Sequence, residues 1–175
     1  PQDRIADADD RWKCDLFFAG TVESGRGTYG ARAQLLAALE RMRMAGDLDF
    51  KTALRGENTM LRTAEIAASA TAVLGHGRPD RPGWVDTRVF QYPGAGAILL
   101  HDDVQGFLPG SPPDDCYIPY ETGNADSVLD AVERVCSWTP DARRRMRERA
   151  FAYTQERHSY VARVKQVLDH FGLRP

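Results

Sequence analysis

The chain has 175 residues, 42% of them hydrophobic and 27% charged, with a formal net charge of -2. These values fit one globular domain and exclude both a polybasic nucleic-acid surface and a strongly acidic chain. No apolar run approaches the ~20 residues that span a bilayer, and the acidic start from Pro1 to Asp10 is the opposite of a secretory signal.

Residues 1–12 read as a tail or linker, and residues 13–175 as a single domain. Lys13 to Ala19 then runs apolar and stops at Gly20, the pattern of a strand buried on both faces. A loop rich in glycine and small polar residues follows, Gly20 to Gly27. Leu35, Leu36, Leu39 and Met42 recur at helical spacing, which predicts a helix over Tyr29–Met44 with Gly46 as its stop. Next come a strand over Asp49–Leu54, a helix over Asn58–Ser69 and a strand over Thr71–Gly75. Two prolines and two glycines make Gly75–Gly83 a loop. A short helix over Asp86–Tyr92 leads through a glycine turn into a strand over Ala97–Leu100. Cys116–Pro119 offers one more strand. The rest is helical: Asn124–Ser137, then a helix opened by Thr139-Pro140-Asp141 and running to Gln155, and a last one over Ser159–Phe171.

Strands alternating with helices predict an α/β fold: a Rossmann-like parallel sheet with helices on both faces and extra C-terminal helices. Ligands of such sheets bind beyond the carboxyl ends of the strands, where strand order reverses. The loops Gly20–Gly27, Leu54–Asn58, Gly75–Trp84 and His101–Gly110 are expected to crowd that rim. The cysteines, Cys14, Cys116 and Cys136, and the four histidines fall at no metal-ligand spacing, so no metal site is expected. Three cysteines without a paired motif point to reduced thiols and a cytoplasmic setting.

Three segments in order, Asp15-Leu16-Phe17-Phe18-Ala19-Gly20, Asp86-Thr87-Arg88-Val89-Phe90 and Gly94-Ala95-Gly96-Ala97-Ile98-Leu99-Leu100, resemble the C-terminal half of group-1 glycosyltransferases. The closing Glu156-Arg157-His158-Ser159-Tyr160, with Arg163 beyond it, is similar to the last helix of the CgeB-like branch of that family. The resemblance covers roughly residues 13–170. It implies half of a GT-B fold: the domain that binds a nucleoside diphosphate sugar as substrate, with no cofactor. An N-terminal acceptor domain, in the same or another chain, is the implied partner.

Each candidate residue has a functional and a plain reading. The loop from Gly20 can wrap a diphosphate with its backbone N–H groups, or be a surface loop. Arg26, Arg55 and Arg88 are the cations available to a diphosphate; Arg88 can equally pair with Asp86. Gln91 stands where the family usually has a Glu that accepts from the donor ribose, and it keeps one acceptor oxygen without the charge. Gly94, Ala95 and Gly96 lie close to the ligand or pack tightly on the sheet. His76 and Asp102, at strand ends on the predicted rim, are possible sugar contacts, though His76 can be an ordinary loop residue. The arginine run from Arg143 to Arg149 reads as a solvated helix face, since no aromatic residues interleave with it as a nucleic-acid platform requires. His158 is expected to pack between the last two helices.

The leading expectation is thus a glycosyltransferase donor domain without a nucleic-acid partner or a membrane span. A non-catalytic module of the same fold, binding a nucleotide, glycan or protein, is the alternative that Gln91 raises. A flavodoxin-like phosphate enzyme would need a nucleophile or metal cluster at a strand end, and the sequence offers neither.

Overall fold

The computed structural model describes residues 9–20, 28–53, 59–77, 86–102 and 116–173. Five strands, β1 (Leu16–Ala19), β2 (Phe50–Ala53), β3 (Ala72–Leu74), β4 (Leu99–Asp102) and β5 (Ile118–Tyr120), form one sheet in the order β2-β1-β3-β4-β5. Every pairing is parallel, with Leu16 opposite both Phe50 and Ala72. The helices are α1 (Thr28–Ala45), α2 (Thr59–Ser69), α3 (Arg88–Gln91), α4 (Ala125–Ser137), α5 (Pro140–His158) and α6 (Tyr160–His170).

The doubly buried reading of β1 is borne out. Leu16 and Phe18 meet Leu35 and Leu39 of α1 and Val128 and Val132 of α4. Phe17 and Ala19 face the other way, against Ile66 and Ala67 of α2 and Val89 of α3. Successive strand residues point to opposite faces, so four apolar residues in a row serve two cores. Full burial of side chains this size stabilises by ~1.5–3 kcal/mol each.

The late helices begin where their polar residues predict. Asn124 accepts from Ser127 N at 3.1 Å, Thr139 from Ala142 N at 3.2 Å and Ser159 from Ala162 N at 3.2 Å. Each cap satisfies a backbone donor left open in the first turn. Ser159 also ends α5, which runs three residues past the predicted Gln155.

Three local expectations shift. β4 lies at Leu99–Asp102, carrying His101 and Asp102 inside the sheet, because burial between β3 and β5 overrides their polarity. β5 ends at Tyr120, with Pro119 exposed on the outermost described strand, where a missing N–H costs no ladder bond. The arginine run is also not wholly a solvated face. Arg144 pairs with Asp141 and Glu148 in solvent, but half-buried Arg147 donates to Ala68 O at 2.8 Å and Ala70 O at 2.7 Å. It thereby caps the carboxyl end of α2, which favours a cation.

Before β1, Asp10–Trp12 forms a single 3₁₀ turn against α2, with Trp12 edge-on to Phe17 at 5.8 Å. Asp9 N donates to Ser69 Oγ at 2.7 Å.

Candidate functional site

From β1 the chain crosses to β2 on one side, then returns to lay β3 on the other, so strand order reverses between β1 and β3. The crevice beyond their carboxyl ends is where this class of sheet takes its ligands. On the β1 side it is bounded by Gly20, and on the β3 side by residues 75–77.

Arg88 reaches Gly20 from the first turn of α3. Asp86 prepares it twice: Oδ1 accepts from Arg88 N at 3.0 Å, and Oδ2 pairs with Nη1 at 2.6 Å. A Cβ on Gly20 would stand 2.8 Å from Arg88 Nη2 and 2.9 Å from Phe18 Cζ, so the guanidinium lies directly on the glycine backbone. The two sequence readings of Arg88 therefore coexist: one arm is tied to Asp86 and the other rests at the strand end. Arg26 and Arg55 lie outside the described residues.

Gln91, one turn after Arg88, is half-buried and donates through Nε2 to Thr63 Oγ1 of α2 at 3.2 Å. That bond fixes the amide and leaves Oε1 as the remaining acceptor. The glycine turn after α3 is accounted for by packing. Gly94 faces Thr154, whose Cγ2 is 2.9 Å from where a Cβ would sit, and its carbonyl accepts from Gln155 Nε2 at 3.1 Å. Ala95 is buried among the apolar residues of the α2 face. Gly96 closes the turn at φ 88, a left-handed conformation that favours glycine.

His158 does pack between the last helices, and it does more. Its ring stacks on Phe90 with centroids 4.3 Å apart and bonds to Arg163 of α6, whose guanidinium lies 5.9 Å from the Phe90 ring centre. The closing motif thus braces the helix that carries Arg88 and Gln91.

The described site is densest at the ends of β3, β4 and β5. His76 and Asp102 are both wholly enclosed, so the predicted sugar contacts stand beneath the surface rather than on it. Tyr120 donates its hydroxyl to Gly75 O at 2.8 Å, and His76 Nδ1 lies 3.1 Å from the Tyr120 hydroxyl oxygen. Because the phenol proton is committed, His76 must carry its own proton on Nδ1. Asp102 Oδ1 accepts from Gly77 N at 2.6 Å, and Arg32 Nη2 of α1 donates to His76 O at 3.1 Å. His101 Nδ1 lies 2.9 Å from Asp102 O and 3.1 Å from Asp102 Oδ1, both acceptors, so its proton is also on Nδ1. Burial raises the Tyr120 hydroxyl well above its ordinary range, helped by the Asp102 charge, and so preserves it as a donor.

Burial lowers the His76 pKa, and Arg32, His101 and Arg88 add to this while Asp102 opposes it. An unfolded histidine protonates below about pH 6.5. As pH falls through that value the unfolded state binds more protons than the native one, so stability is lost below it and is unaffected above it. His158 shifts in the same direction, through burial and then Arg163 and Arg157. The expected result is a Tm that is level from pH 7 to 8 and declines from pH 6.5 to 5. His76→Asn, which retains an N–H for Tyr120 but does not titrate, should flatten part of that decline.

Arg32, Thr63 and Tyr120 are the site residues that local motifs missed. Arg32 had a usable signal, since with Leu35, Leu36 and Leu39 it occupies the inward helical face. Among the described residues no group of three His, Cys, Asp or Glu could hold a metal ion, and no helix is long and apolar enough to cross a membrane. An open cleft of about 600 Å³ between α1 and the start of α4 includes none of the predicted site residues.

A sequence model of a family described as glycosyl transferase-like matches residues 10–169. The chain belongs to that family. No curated protein sequence matches it. Among solved structures the domain is similar to sucrose-phosphate synthase from Thermosynechococcus elongatus, at 15% identity and a TM-score of 0.62, over 90% of this chain and 37% of that one. It is similar also to a glycosyltransferase from Rickettsia africae, at 8% identity and a TM-score of 0.59, over 89% of this chain and 46% of that one. A third likeness is to TarM, at 9% identity and a TM-score of 0.53, over 95% of this chain and 37% of that one. At these identities the likeness carries the fold, a Rossmann-like parallel α/β domain. The chain spans less than half the length of each of these structures.

Proposed function

We propose that residues 13–175 of this glycosyl transferase-like chain form the donor-binding domain of a glycosyltransferase, the C-terminal half of a CgeB-like GT-B enzyme. One observation carries the reading: a guanidinium held by Asp86 lies on Gly20 at the carboxyl end of β1, beside the strand-order reversal. A cation on a glycine turn at that point suits a diphosphate, which a neighbouring side chain at Gly20 would obstruct.

The substrate is a nucleoside diphosphate sugar, with no separate cofactor. As the glycosidic bond breaks, the departing diphosphate gains negative charge, and Arg88 stabilises that charge from a fixed position. Arg26 and Arg55 join it in this reading, with the N-terminal ends of α1 and α2. Gln91 Oε1 accepts from the ribose, Gly94, Ala95 and Gly96 set the turn that carries the site, and His76 and Asp102 stand under the sugar. An N-terminal acceptor domain, in this or another chain, completes the cleft in a cytoplasmic enzyme.

The test is calorimetric titration with UDP, GDP, ADP and CDP, with and without a divalent cation. Saturable binding of one nucleotide is expected. Absence of binding at millimolar concentration, both by this domain and by a longer chain containing it, would overturn the proposal.

Gln91 favours a second reading, a binding module that has lost the chemistry, because the family's usual carboxylate is absent. Gln91→Glu separates the two. Hydrogen bonds to ionised acceptors are roughly twice as strong as neutral ones, so a ribose at this position should bind severalfold more tightly to the variant. Unchanged affinity would show that the ribose lies elsewhere.

A further inference from the structure

Arg88 and Gln91 stand three residues apart in α3, so their side chains leave from one face of the turn. Arg88 supplies a cation whose side chain is still 20% exposed. What Gln91 supplies depends on which way round its amide is held. With Nε2 outward it would donate to an anion, reinforcing Arg88. With Oε1 outward it disfavours an anion and can only accept, so it calls for a group that brings its own proton.

Thr63 decides between the two. This α2 residue is buried, at 8% exposure, and its Oγ1 accepts from Gln91 Nε2 at 3.2 Å. The hydroxyl proton of a helical threonine ordinarily goes to a carbonyl of the preceding turn, which leaves the oxygen to accept from a neighbour. Nε2 is therefore the end that Thr63 holds. Oε1 takes no hydrogen bond among the described residues, and in this half-buried side chain it is not sealed from solvent. Water would serve both ends of a surface amide alike. A buried hydroxyl from another helix, 28 residues away in the chain, holds one end only and so gives the amide a direction.

We infer that Thr63 is a specificity-determining positioning residue: it aims Gln91 Oε1 at a ribose hydroxyl of the bound nucleotide. The inference rests on the donor-binding reading above. It adds a residue that touches no ligand in that reading, and it names what that residue selects. An outward N–H would recognise phosphate oxygens, which every nucleotide has. An outward carbonyl must meet a proton donor, and beside a phosphate held by Arg88 that donor is the sugar hydroxyl. The site therefore distinguishes ribonucleotides from deoxyribonucleotides, with an oriented amide doing the reading.

The experiment is calorimetric titration with whichever of UDP, GDP, ADP and CDP the original chain binds, and with the 2′-deoxy and 3′-deoxy forms of that nucleotide. The original chain should bind the ribonucleotide about fivefold more tightly than at least one deoxy form, the effect of one neutral hydrogen bond. Thr63→Val keeps the outline of the side chain without its oxygen. It should bring that preference close to one while leaving the affinity for the deoxy form unchanged. Thr63→Ser, which retains the hydroxyl, should keep the preference. Gln91→Leu, which removes the amide altogether, should lose it. A preference that survives in Thr63→Val or in Gln91→Leu would overturn the inference. Equal weakening of Thr63→Val toward all three nucleotides would do the same, since that is the mark of a merely structural role. So would an original chain that binds ribonucleotide and both deoxy forms alike. Failure of the original chain to bind any of the four nucleotides would overturn the donor-binding reading, and this inference with it.

Discussion

Replacing Arg88 with Ala should weaken nucleoside diphosphate binding by about 10- to 100-fold, the loss expected for a charge-assisted contact of ~1.5–3 kcal/mol. The reason lies in how the side chain is held. Asp86 fixes one arm at 2.6 Å, and the rest of the guanidinium lies on Gly20, so little freedom is lost when an anion arrives. Arg88→Lys should fall between the two. It keeps the charge but exchanges a planar fork for a point donor, which cannot hold Asp86 and a phosphate together. Stability should move by no more than ~1 kcal/mol, since an ion pair of this partly exposed kind contributes little to folding. A titration in which Arg88→Ala retained full affinity would remove the central support for donor binding at this crevice.

The second large effect is on the fold. Arg147→Ala should destabilise the domain by ~2 kcal/mol through two stranded carbonyls, a Tm lower by about 4–8 °C at this chain length. Arg147 reaches across from α5 to Ala68 O in the last turn of α2 and to Ala70 O just beyond it. Arg145→Ala, two residues earlier on the exposed side of the same helix, should leave Tm within about 1 °C, as surface substitutions usually do. Thermal unfolding of the two variants side by side would decide the matter. Equal, negligible shifts would return the whole run to the role of a solvated face.

What could be read beforehand was what the chain encodes locally. The doubly apolar run at Leu16–Ala19, the cap at Thr139 and the inward stripe of α4 each announce themselves within one turn or one strand. The pairing of Arg88 with Asp86 belongs to the same class, because two residues of separation almost force the meeting. The three-sided hold on residues 75–77 does not. Arg32, Asp102 and Tyr120 come from separate elements, and His76 lies 44 residues from both Arg32 and Tyr120. Only the strand order brings them together. The extension of β4 over His101 and Asp102 was hidden for a related reason: polarity argues for a strand end, and only neighbouring strands can supply the partners that let polar groups stay inside. The turn Gly94-Ala95-Gly96 was legible as tight, but what makes it tight, Thr154 and Gln155, comes from a helix far along the chain.

The position of β1 has a consequence for how the chain reaches this state. Leu16-Phe17-Phe18-Ala19 sits between β2 and β3, and both neighbours are made after it, at Phe50 and Ala72. During synthesis this segment therefore waits with both edges open and both faces uncovered. Short, uncharged stretches rich in aromatic residues are those most prone to pair with other chains while they wait. Parallel pairing between distant residues is also intrinsically slow, since the loop must close before any contact rewards it. The same strand that anchors two cores in the finished domain is the one most exposed to aggregation before folding ends.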